Sequence, residues 1–340
     1  MIRVAVIGAG QWGPNLIRNF ATGERSRVAW VVDRDPARLE QVRQRFPDIQ
    51  VSGEADQAIG DSAVDAVVIA TPSSTHHALG RAALSAGKHV LVEKPIATTS
   101  AHAEELCALA EQKQRVLVVG HVFLHNAAVQ RVKAYLADGY LGRVHYISMT
   151  RTNLGPIRGD VDAAWDLAAH DLSVANHWLS AEPLVVNAVG GAWINPGLAD
   201  ATFLTFRYPN DVLVHIHASW LNPRKDRLVS VIGDRRMLTF DDMQSLEPVR
   251  IYDKHVTEQK SQPYTDTYAA FRSQVREGDI LIPRVPVGEP LRAECEHFLD
   301  CIIKGTPPIG GGRAAAAVVR ALEAASRSMK NGGREEAVSR

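Results

Sequence analysis

The first third of the chain alternates short apolar runs with stretches of helical spacing, and this alternation restricts the fold more than any other feature. The runs read IRVAVIG, VAWVVD, AVVIA, HVLVE and RVLVVGH. None of them alternates polar with apolar residues, so both faces of each strand must be covered. The pattern predicts an α/β domain over residues 1–121, a doubly wound parallel sheet with helices on both sides.

The pattern changes after residue 121. A helical stretch near residue 127 leads into long strand-like segments, and VLVHIHASW alternates apolar and polar residues, as in an antiparallel sheet with one covered face. Residues 250–285 are polar and irregular, which favours extended loops, and two helical segments follow them. Residues 122–340 are therefore predicted to form a second domain of α+β type.

Composition narrows the class of protein. The 340 residues carry 38 basic and 38 acidic side chains, so there is no bulk charge to attract nucleic acid or a membrane surface. The apolar runs are far shorter than a membrane span, and the first strand begins so close to Met1 that we expect no signal peptide. Three cysteines without metal-like spacing are interpreted as free thiols of a cytoplasmic protein: Cys107, Cys295 and Cys301.

The segment GAGQWG lies between the first apolar run and a helical stretch, with glycines at Gly8, Gly10 and Gly13. In dinucleotide-binding domains the first glycine permits a tight turn, the second lets the backbone approach a pyrophosphate, and the third allows close helix–strand packing. The N-terminus of the following helix offers free N–H groups to phosphate oxygens. The segment predicts a dinucleotide site that also includes Gln11 and Trp12.

Asp33 ends the second run, about 20 residues after Gly13. A carboxylate at this position accepts hydrogen bonds from the adenosine ribose and repels a 2′-phosphate, which favours NAD over NADP. Its neighbour Arg34 complicates this prediction, because an arginine can bind a 2′-phosphate. The alternative is a surface arginine, or one stacked on the adenine.

Two further segments end apolar runs at the edge of the sheet where doubly wound domains bind ligands. In ATPSSTHHA, Thr71 and Pro72 are predicted to line the nicotinamide half of the pocket, and His76 either begins the next helix or contacts the ligand. In VLVEKPIA, Glu93 and Lys94 end the run. A lysine there can donate to or polarise a substrate oxygen, although the segment taken alone favours a strand-end lysine that extends into solvent.

The segment WDLAAHDLSVANHWL contains a second candidate group. Asp166 and His170 are four residues apart, so on a helix both side chains project from one face. Oxidation of a secondary alcohol removes a hydride and the hydroxyl proton, and a neutral imidazole is the usual proton acceptor. The carboxylate can orient the ring or hold a substrate hydroxyl. Together with Lys94, the pair favours a dehydrogenase over a core histidine.

The segments GAGQWG, ATPSSTH, VEKP and GYLGRVHYI and the Asp166-xxx-His170 pair resemble the Gfo/Idh/MocA oxidoreductase family over nearly the whole chain. The resemblance implies an N-terminal Rossmann domain and a C-terminal substrate-binding domain with a large open, mostly antiparallel sheet. It also implies NAD as cofactor and homo-oligomers, dimers or tetramers, formed through that sheet. Lys94, Asp166 and His170 fall on the family's catalytic residues, and the peptide before Pro95 is expected to be cis.

The match has departures. The family helix often reads Asp-x-Gly-x-His-x-x-Asp, whereas Ala168 and Ser173 occupy the glycine and final aspartate positions, and Asp171 follows the histidine. The lysine, aspartate and histidine are intact, so the departures bear on the substrate. No metal site is predicted, because neither of two histidine pairs has a third ligand beside it: His215 with His217, and His121 with His125.

The segments at residues 150–171 and 219–242 are most similar to family members that oxidise nucleotide-activated sugars, and this similarity implies oxidation at C3 of a UDP-N-acetylhexosamine. Asn153 is a candidate donor to a sugar hydroxyl or acetamido group, Arg158 a candidate for a diphosphate, and Trp165 a further substrate contact. Alternatively, Arg158 pairs with a nearby acid. A free polyol such as an inositol, a deoxysugar reduced in the reverse direction, and a non-catalytic nicotinamide-binding sensor remain alternatives.

Overall fold

The computed structural model describes residues 1–256 and 275–339. The chain divides into two compact units, and each consists of two segments. The first unit contains Met1–His125 and Glu289–Glu323, and the second contains Asn126–Gly288 and Ala324–Arg340.

The first unit is built on a six-stranded parallel sheet with the strand order β3-β2-β1-β4-β5-β6. This is the order of a Rossmann domain, and it confirms the predicted doubly wound sheet. One strand, β3, was not predicted, because its three residues are too few to form a recognisable pattern. The strands are β1 Ile2–Ile7, β2 Ser26–Val32, β3 Gln50–Ser52, β4 Ala66–Ile69, β5 His89–Glu93 and β6 Leu117–Gly120.

Helices cover the sheet of the first unit, and their starts follow the sequence. Asp35 accepts a hydrogen bond from the Ala37 N–H at the start of α2, where Pro36 occupies the first helical position. Thr99 caps α5 in the same way. The first five helices are α1 Gly13–Thr22, α2 Pro36–Arg45, α3 Ala55–Gly60, α4 His76–Ser85 and α5 Ser100–Gln112.

Two late segments complete the first unit: helix α8 (Pro290–Lys304) and the first part of helix α9 (Gly312–Lys330). In α8, Phe298 is fully buried and packs edge-to-face on Phe20 of α1, with the ring centroids 6.4 Å apart. The structure thus differs from the single boundary near residue 121, which assigned all of residues 122–340 to the second domain. The apolar face of α8 is buried by side chains from the start of the chain, a pairing that sequence order does not reveal.

The second unit is built on a nine-stranded sheet with the order β14-β13-β12-β11-β7-β10-β9-β8-β15. Among the described strands, β10 pairs with β7 in parallel and the remaining neighbours are antiparallel, which confirms the predicted α+β class. The strands are β7 Val144–Leu154, β8 Val185–Gly191, β9 Ala201–Arg207, β10 Leu213–Ser219, β11 Leu221–Gly233, β12 Met237–Asp241, β13 Val249–Val256, β14 Val275–Leu281 and β15 Glu336–Ala337.

One face of this sheet is covered. In β10, Val214 and Ile216 are buried, whereas His215 and His217 lie on the opposite face, as the alternation predicted. The helices of this unit are α6 Ala127–Ala137 and α7 Ala169–Leu179, and the last residues of α9 also belong to it. Short helical turns occur at Ser73–Thr75, Val122–His125, Ala164–Ala168 and Pro209–Asp211.

The predicted loops over residues 250–285 are wrong in part: the strand predicted at residues 247–253 is present as the start of β13, but β13 continues to Val256 and β14 occupies Val275–Leu281. Their polar residues hid the strand pattern, and residues 257–274 lie outside the described residues. None of the helices in the described part of the chain combines the length and the apolarity needed to cross a membrane.

Candidate functional site

The glycine-rich turn after β1 is shaped by backbone contacts that exclude side chains. Gly8 has a φ of +101°, and a Cβ there would lie 2.5 Å from the Ala70 carbonyl oxygen at the end of β4. A Cβ on Gly13 would lie 2.0 Å from the Gly8 carbonyl oxygen, so α1 begins directly against the turn. A Cβ on Gly10 would have the Arg38 guanidinium as its nearest neighbour, at 3.4 Å. No backbone group lies closer, so a ligand can approach the backbone at Gly10. The neighbouring Gln11 and Trp12 are exposed.

Asp33 lies beside this turn, as the sequence predicted. Its Oδ2 accepts the Ala9 N–H at 2.7 Å and its Oδ1 accepts the Asp35 N–H at 2.9 Å. The Arg38 guanidinium lies 3.4 Å from Oδ2, whereas Arg34 is exposed. Sequence reasoning missed Arg38. The available signal was its position in the first turn of the helix that follows Asp33.

His76 connects the loops that follow β4 and β5. The ring is buried, with Nδ1 2.7 Å from the Pro95 carbonyl oxygen and Nε2 2.8 Å from the Thr71 carbonyl oxygen. The Thr71 hydroxyl is 2.6 Å from the Thr75 hydroxyl, and Pro72 is exposed. His76 therefore holds the threonine loop against the segment that carries Lys94.

Glu93 is the last residue of β5, and Lys94 follows it directly. The Trp12 indole donates a hydrogen bond to the Glu93 carboxyl group, which links the glycine-rich turn to β5. Burial raises the pKa of Glu93 to about 7, against the opposing effects of the Lys94 charge and the Trp12 bond. The peptide between Lys94 and Pro95 is cis, as expected.

In the second unit, Asp166 lies in a π-helical turn, Ala164–Ala168, that runs directly into α7. His170 is the second residue of α7. The regular α-helical spacing predicted for this pair is therefore interrupted by a wider turn. Such insertions are uncommon and are often found at functional sites.

Asp166 is held by two side chains of its own unit. Oδ1 lies 3.2 Å from Nη1 of Arg158, and Oδ2 accepts the Trp220 indole N–H at 3.3 Å. Arg158 also binds Asp160, with contacts of 2.9 and 2.6 Å. The alternative that Arg158 pairs with nearby acids is thus confirmed for this structure. Trp220 was missed, because it is distant from Asp166 in sequence.

The other predicted substrate residues make local contacts. The Asn153 side-chain amide donates to the Gly155 carbonyl oxygen. The Trp165 indole donates to the Ser326 hydroxyl at 3.0 Å, and its backbone N–H donates to Asp162 Oδ1 at 2.9 Å. Trp165 is therefore fixed on the turn that carries Asp166.

The acid after the histidine has a structural partner. Asp171 is buried and accepts three hydrogen bonds of 2.8 to 3.1 Å from the equally buried guanidinium of Arg151 on β7. Ser173, at the position of the family's last aspartate, donates to the His170 carbonyl oxygen at 2.7 Å. These contacts fix the start of α7, and with it the position of His170.

The cradle at Gly8, Gly10 and Gly13 fits a dinucleotide, because two of these positions are closed to any Cβ and the third is open. The Asp33 carboxylate beside the cradle fits the adenosine ribose. Within residues 1–256 and 275–339, no three His, Cys, Asp or Glu side chains are grouped closely enough to hold a metal ion.

Known proteins share both units. A family model for the Gfo/Idh/MocA oxidoreductases, NAD-binding Rossmann fold, matches residues 2–121, and a Gfo/Idh/MocA C-terminal domain matches residues 129–239. UDP-N-acetylglucosamine 3-dehydrogenase of Acidithiobacillus ferrooxidans is 30% identical over 248 residues, 71% of this chain and 74% of that enzyme. Inositol 2-dehydrogenase of Acidothermus cellulolyticus is 32% identical over 225 residues, 64% of this chain and 66% of that enzyme.

Solved structures of similar proteins match nearly the whole chain. GnnA, the UDP-N-acetylglucosamine 3-dehydrogenase from Acidithiobacillus ferrooxidans, has a TM-score of 0.81 at 27% identity and covers 97% of this chain and 99% of its own. GenD2 from gentamicin A biosynthesis, in complex with NAD, has a TM-score of 0.83 at 26% identity. The match covers 100% of this chain and 97% of GenD2. The chain belongs to the Gfo/Idh/MocA oxidoreductase family and is an NAD-dependent dehydrogenase that acts on CH–OH groups.

Proposed function

We propose that the protein oxidises a secondary hydroxyl of a nucleotide-activated sugar, with C3 of a UDP-N-acetylhexosamine as the preferred candidate. One structural observation carries this proposal: the Arg158 guanidinium, although paired with Asp160 and Asp166, is 37% exposed, so it is accessible to a diphosphate beside Asp166. The likeness to UDP-N-acetylglucosamine 3-dehydrogenase supports the same substrate class.

The proposed chemistry assigns a role to each of three side chains. NAD, when bound, supplies the hydride acceptor. A ring nitrogen of His170 takes the hydroxyl proton, a step that contributes about 10²–10⁴-fold in comparable enzymes. Lys94 donates to the substrate oxygen as it becomes a carbonyl, and Asp166 holds a neighbouring hydroxyl. The binding residues are Gly8, Gly10, Gln11, Trp12, Gly13, Asp33, Arg34, Thr71, Pro72, His76, Glu93 and Lys94 for NAD, and Asn153, Arg158, Trp165 and His170 for the sugar.

Oxidation of a free polyol is the second candidate, supported by the likeness to inositol 2-dehydrogenase. A screen separates the two. The purified protein with NAD is offered UDP-N-acetylglucosamine, UDP-N-acetylglucosaminuronate, free N-acetylglucosamine and myo-inositol, and NADH formation is followed by absorbance. We expect the UDP-sugars to be oxidised faster than either free compound. Faster oxidation of myo-inositol would reject the nucleotide-sugar proposal.

Arg158→Ala sharpens the distinction between these substrates. Because loss of a charged hydrogen bond costs about 1.5–3 kcal/mol, KM for the UDP-sugar should rise about 10-fold or more. KM for a free polyol should hardly change. Arg224→Ala is the matched control, because Arg224 is highly exposed and pairs with Asp226. If both variants change KM for the UDP-sugar to the same extent, Arg158 has no specific role in substrate binding.

The cofactor preference follows from Asp33. A carboxylate beside the ribose position repels a 2′-phosphate, so NADH should bind at least about 10-fold more tightly than NADPH. Titration of each cofactor by fluorescence measures both affinities. Tighter binding of NADPH would contradict the assignment and would identify Arg34 or Arg38 as a phosphate contact.

The assembly proposed is a cytoplasmic homo-oligomer, a dimer or tetramer formed through the sheet of the second unit. Support comes from large exposed apolar side chains on the uncovered side of this sheet, including Tyr146, Phe203 and Leu228. Light scattering measures the mass in solution. Phe203→Asp should lower the measured mass. A native protein with the mass of a single chain would reject the proposal.

A further inference from the structure

Arg158 lies on a segment without regular secondary structure, residues 155–162, between β7 and the π-helical turn. Its guanidinium pairs with two carboxylates of the second unit, Asp160 and Asp166. An arginine on such a segment loses conformational freedom when it binds a ligand, and a backbone that is already fixed lowers this cost. The affinity of Arg158 for a diphosphate therefore depends on what holds residues 155–162.

The loop between β8 and β9, residues 192–199, makes two contacts with this part of the chain. The Asn195 side-chain amide donates a hydrogen bond to the Arg158 carbonyl oxygen at 3.0 Å. The Ala163 N–H, directly before the π-helical turn, donates to the Ala199 carbonyl oxygen at 2.9 Å. The β8–β9 loop therefore holds the irregular segment at Arg158 and again just beyond its end.

One buried carboxylate fastens the β8–β9 loop. Asp200 is fully buried, and its Oδ2 accepts the backbone N–H groups of Trp193 at 2.6 Å and Ile194 at 2.8 Å. Hydrogen bonds to a carboxylate are about twice as strong as those between neutral groups. The Trp193 ring also lies against β8, because a Cβ on Gly191 would lie 2.2 Å from it. These contacts fix the start of the loop.

The backbone of Asp200 is fixed in turn. Its N–H donates to the Gly191 carbonyl oxygen at 2.7 Å, and its carbonyl oxygen accepts the Trp220 N–H at 2.9 Å. The Trp220 indole donates to Asp166 at 3.3 Å. Asp200 thus connects two residues assigned to the sugar, because its side chain leads to Arg158 through the loop and its backbone leads to Asp166 through Trp220.

We propose that Asn195 and Asp200 are positioning residues for the sugar substrate, and that they hold Arg158 where it meets the diphosphate of a nucleotide sugar. Asn195 acts on Arg158 directly, and Asp200 acts through the β8–β9 loop. The diphosphate contact rests on the proposed function, whereas the support of the Arg158 backbone does not. Neither side chain takes part in hydride or proton transfer, so both affect affinity rather than rate.

Calorimetric titration of the NAD-saturated protein with UDP measures the affinity for a nucleoside diphosphate. Asn195→Ala should raise Kd for UDP and KM for the UDP-sugar about 3- to 10-fold, the effect of one lost hydrogen bond, with kcat within about twofold. Asn187→Ala is the matched control, because the Asn187 amide also donates to a backbone carbonyl, that of Gly333, at 3.1 Å. This control on β8 should leave all three constants unchanged.

A double-mutant cycle tests whether Asn195 acts through Arg158. In an Arg158→Ala background, Asn195→Ala should change Kd for UDP by less than about twofold, because the side chain that it positions is already absent. A fully additive effect would overturn the proposal. So would a wild-type Kd in Asn195→Ala, if Arg158→Ala binds UDP weakly.

Amide hydrogen exchange followed by mass spectrometry tests the support of Arg158 without any substrate. In Asp200→Ala, Trp193 and Ile194 lose their acceptor, so exchange should become faster in residues 192–199 and in residues 158–163. Asp200→Asn keeps an oxygen that can accept both N–H groups, and it should preserve the slow exchange.

Asn195→Ala gives the same test at a half-buried position, where the fold should survive even if Asp200→Ala does not fold. Exchange in residues 158–163 should become faster in this variant. Unchanged exchange there would overturn the proposal, whatever the substrate. A wild-type protein that does not bind UDP would reject the nucleotide-sugar function instead, and the exchange result would still decide whether the β8–β9 loop supports Arg158.

Discussion

Lys94 is the single residue on which the proposed chemistry depends most. We predict that Lys94→Met lowers kcat by at least about 10²-fold, because methionine keeps the length and apolar stem of lysine but has no proton to donate. NAD binding should survive, since Asp33 and the glycine-rich turn are untouched. Fluorescence titration with NADH and turnover assays on the same sample check both statements.

Lys113→Met is the matched control for this substitution. Lys113 is exposed at the end of α5 and should tolerate the change without loss of rate or affinity. If Lys94→Met lowers cofactor affinity as much as it lowers the rate, the lysine serves binding and its assigned role in the chemistry is wrong.

Glu93 also has a measurable effect on stability. Its pKa is raised from 4.5 to about 7 in the folded protein, so between these values the folded state holds a proton that the unfolded chain has released. Wild-type stability therefore has a component that falls as pH rises through this window. We predict that the Tm of Glu93→Gln, relative to wild type, increases from about pH 5 to about pH 8.

His121 contributes to the pH dependence of stability with the opposite sign. Its imidazole is neutral when folded, with a pKa lowered from 6.5 to about 3, so its contribution is complete above 6.5 and is lost as pH falls. The comparison with Glu93→Gln separates the two effects, because His121 is present in both proteins. A Tm difference that stays constant with pH would show that Glu93 ionises normally.

The residues predicted from sequence are those whose role is local. Gly8, Gly13 and Asp33 are recognisable because a tight turn and a strand end fix their surroundings within one βαβ unit. Trp220 was not predicted, since its partner, Asp166, comes from a distant part of the chain. Spacing along the chain carries no information about such contacts.

At the level of elements, the π-helical turn before α7 governs the direction of Asp166. We predict that His170→Asn lowers kcat about 10²-fold or more, because asparagine keeps a polar side chain but cannot accept the proton. The Tm should stay close to wild type, since the buried Arg151–Asp171 pair still fixes the helix start. Turnover and thermal melts of one preparation measure both quantities.

His145→Asn provides the control for the histidine substitution, because His145 is exposed on β7. A Tm that collapses together with the rate in His170→Asn would mean that His170 is a core histidine whose loss unfolds its surroundings. The sequence predicted the helix and its two polar residues but not the wider turn, because the insertion of a residue into a helix leaves no mark on the apolar pattern.

At the scale of the whole molecule, the first unit is discontinuous in sequence. Its parallel strands were predicted correctly, because buried strands leave long apolar runs in the sequence. The packing of α8 in the first unit was not predicted. The amphipathic spacing of this helix shows that one face is buried but not which segment covers it. Residues 289–323 thus complete a fold that residues 1–125 begin.

This arrangement predicts that a substitution near the C-terminus weakens the cofactor domain. Phe298 is fully buried against Phe20, so Phe298→Ala should cost about 3–5 kcal/mol of unfolding free energy. Ile303→Ala, on the same helix but half exposed, should cost far less. Urea unfolding, followed with and without NADH, measures the loss and shows whether it falls on the unit that binds the cofactor. Similar costs for both substitutions would mean that α8 contributes little to the core of the first unit.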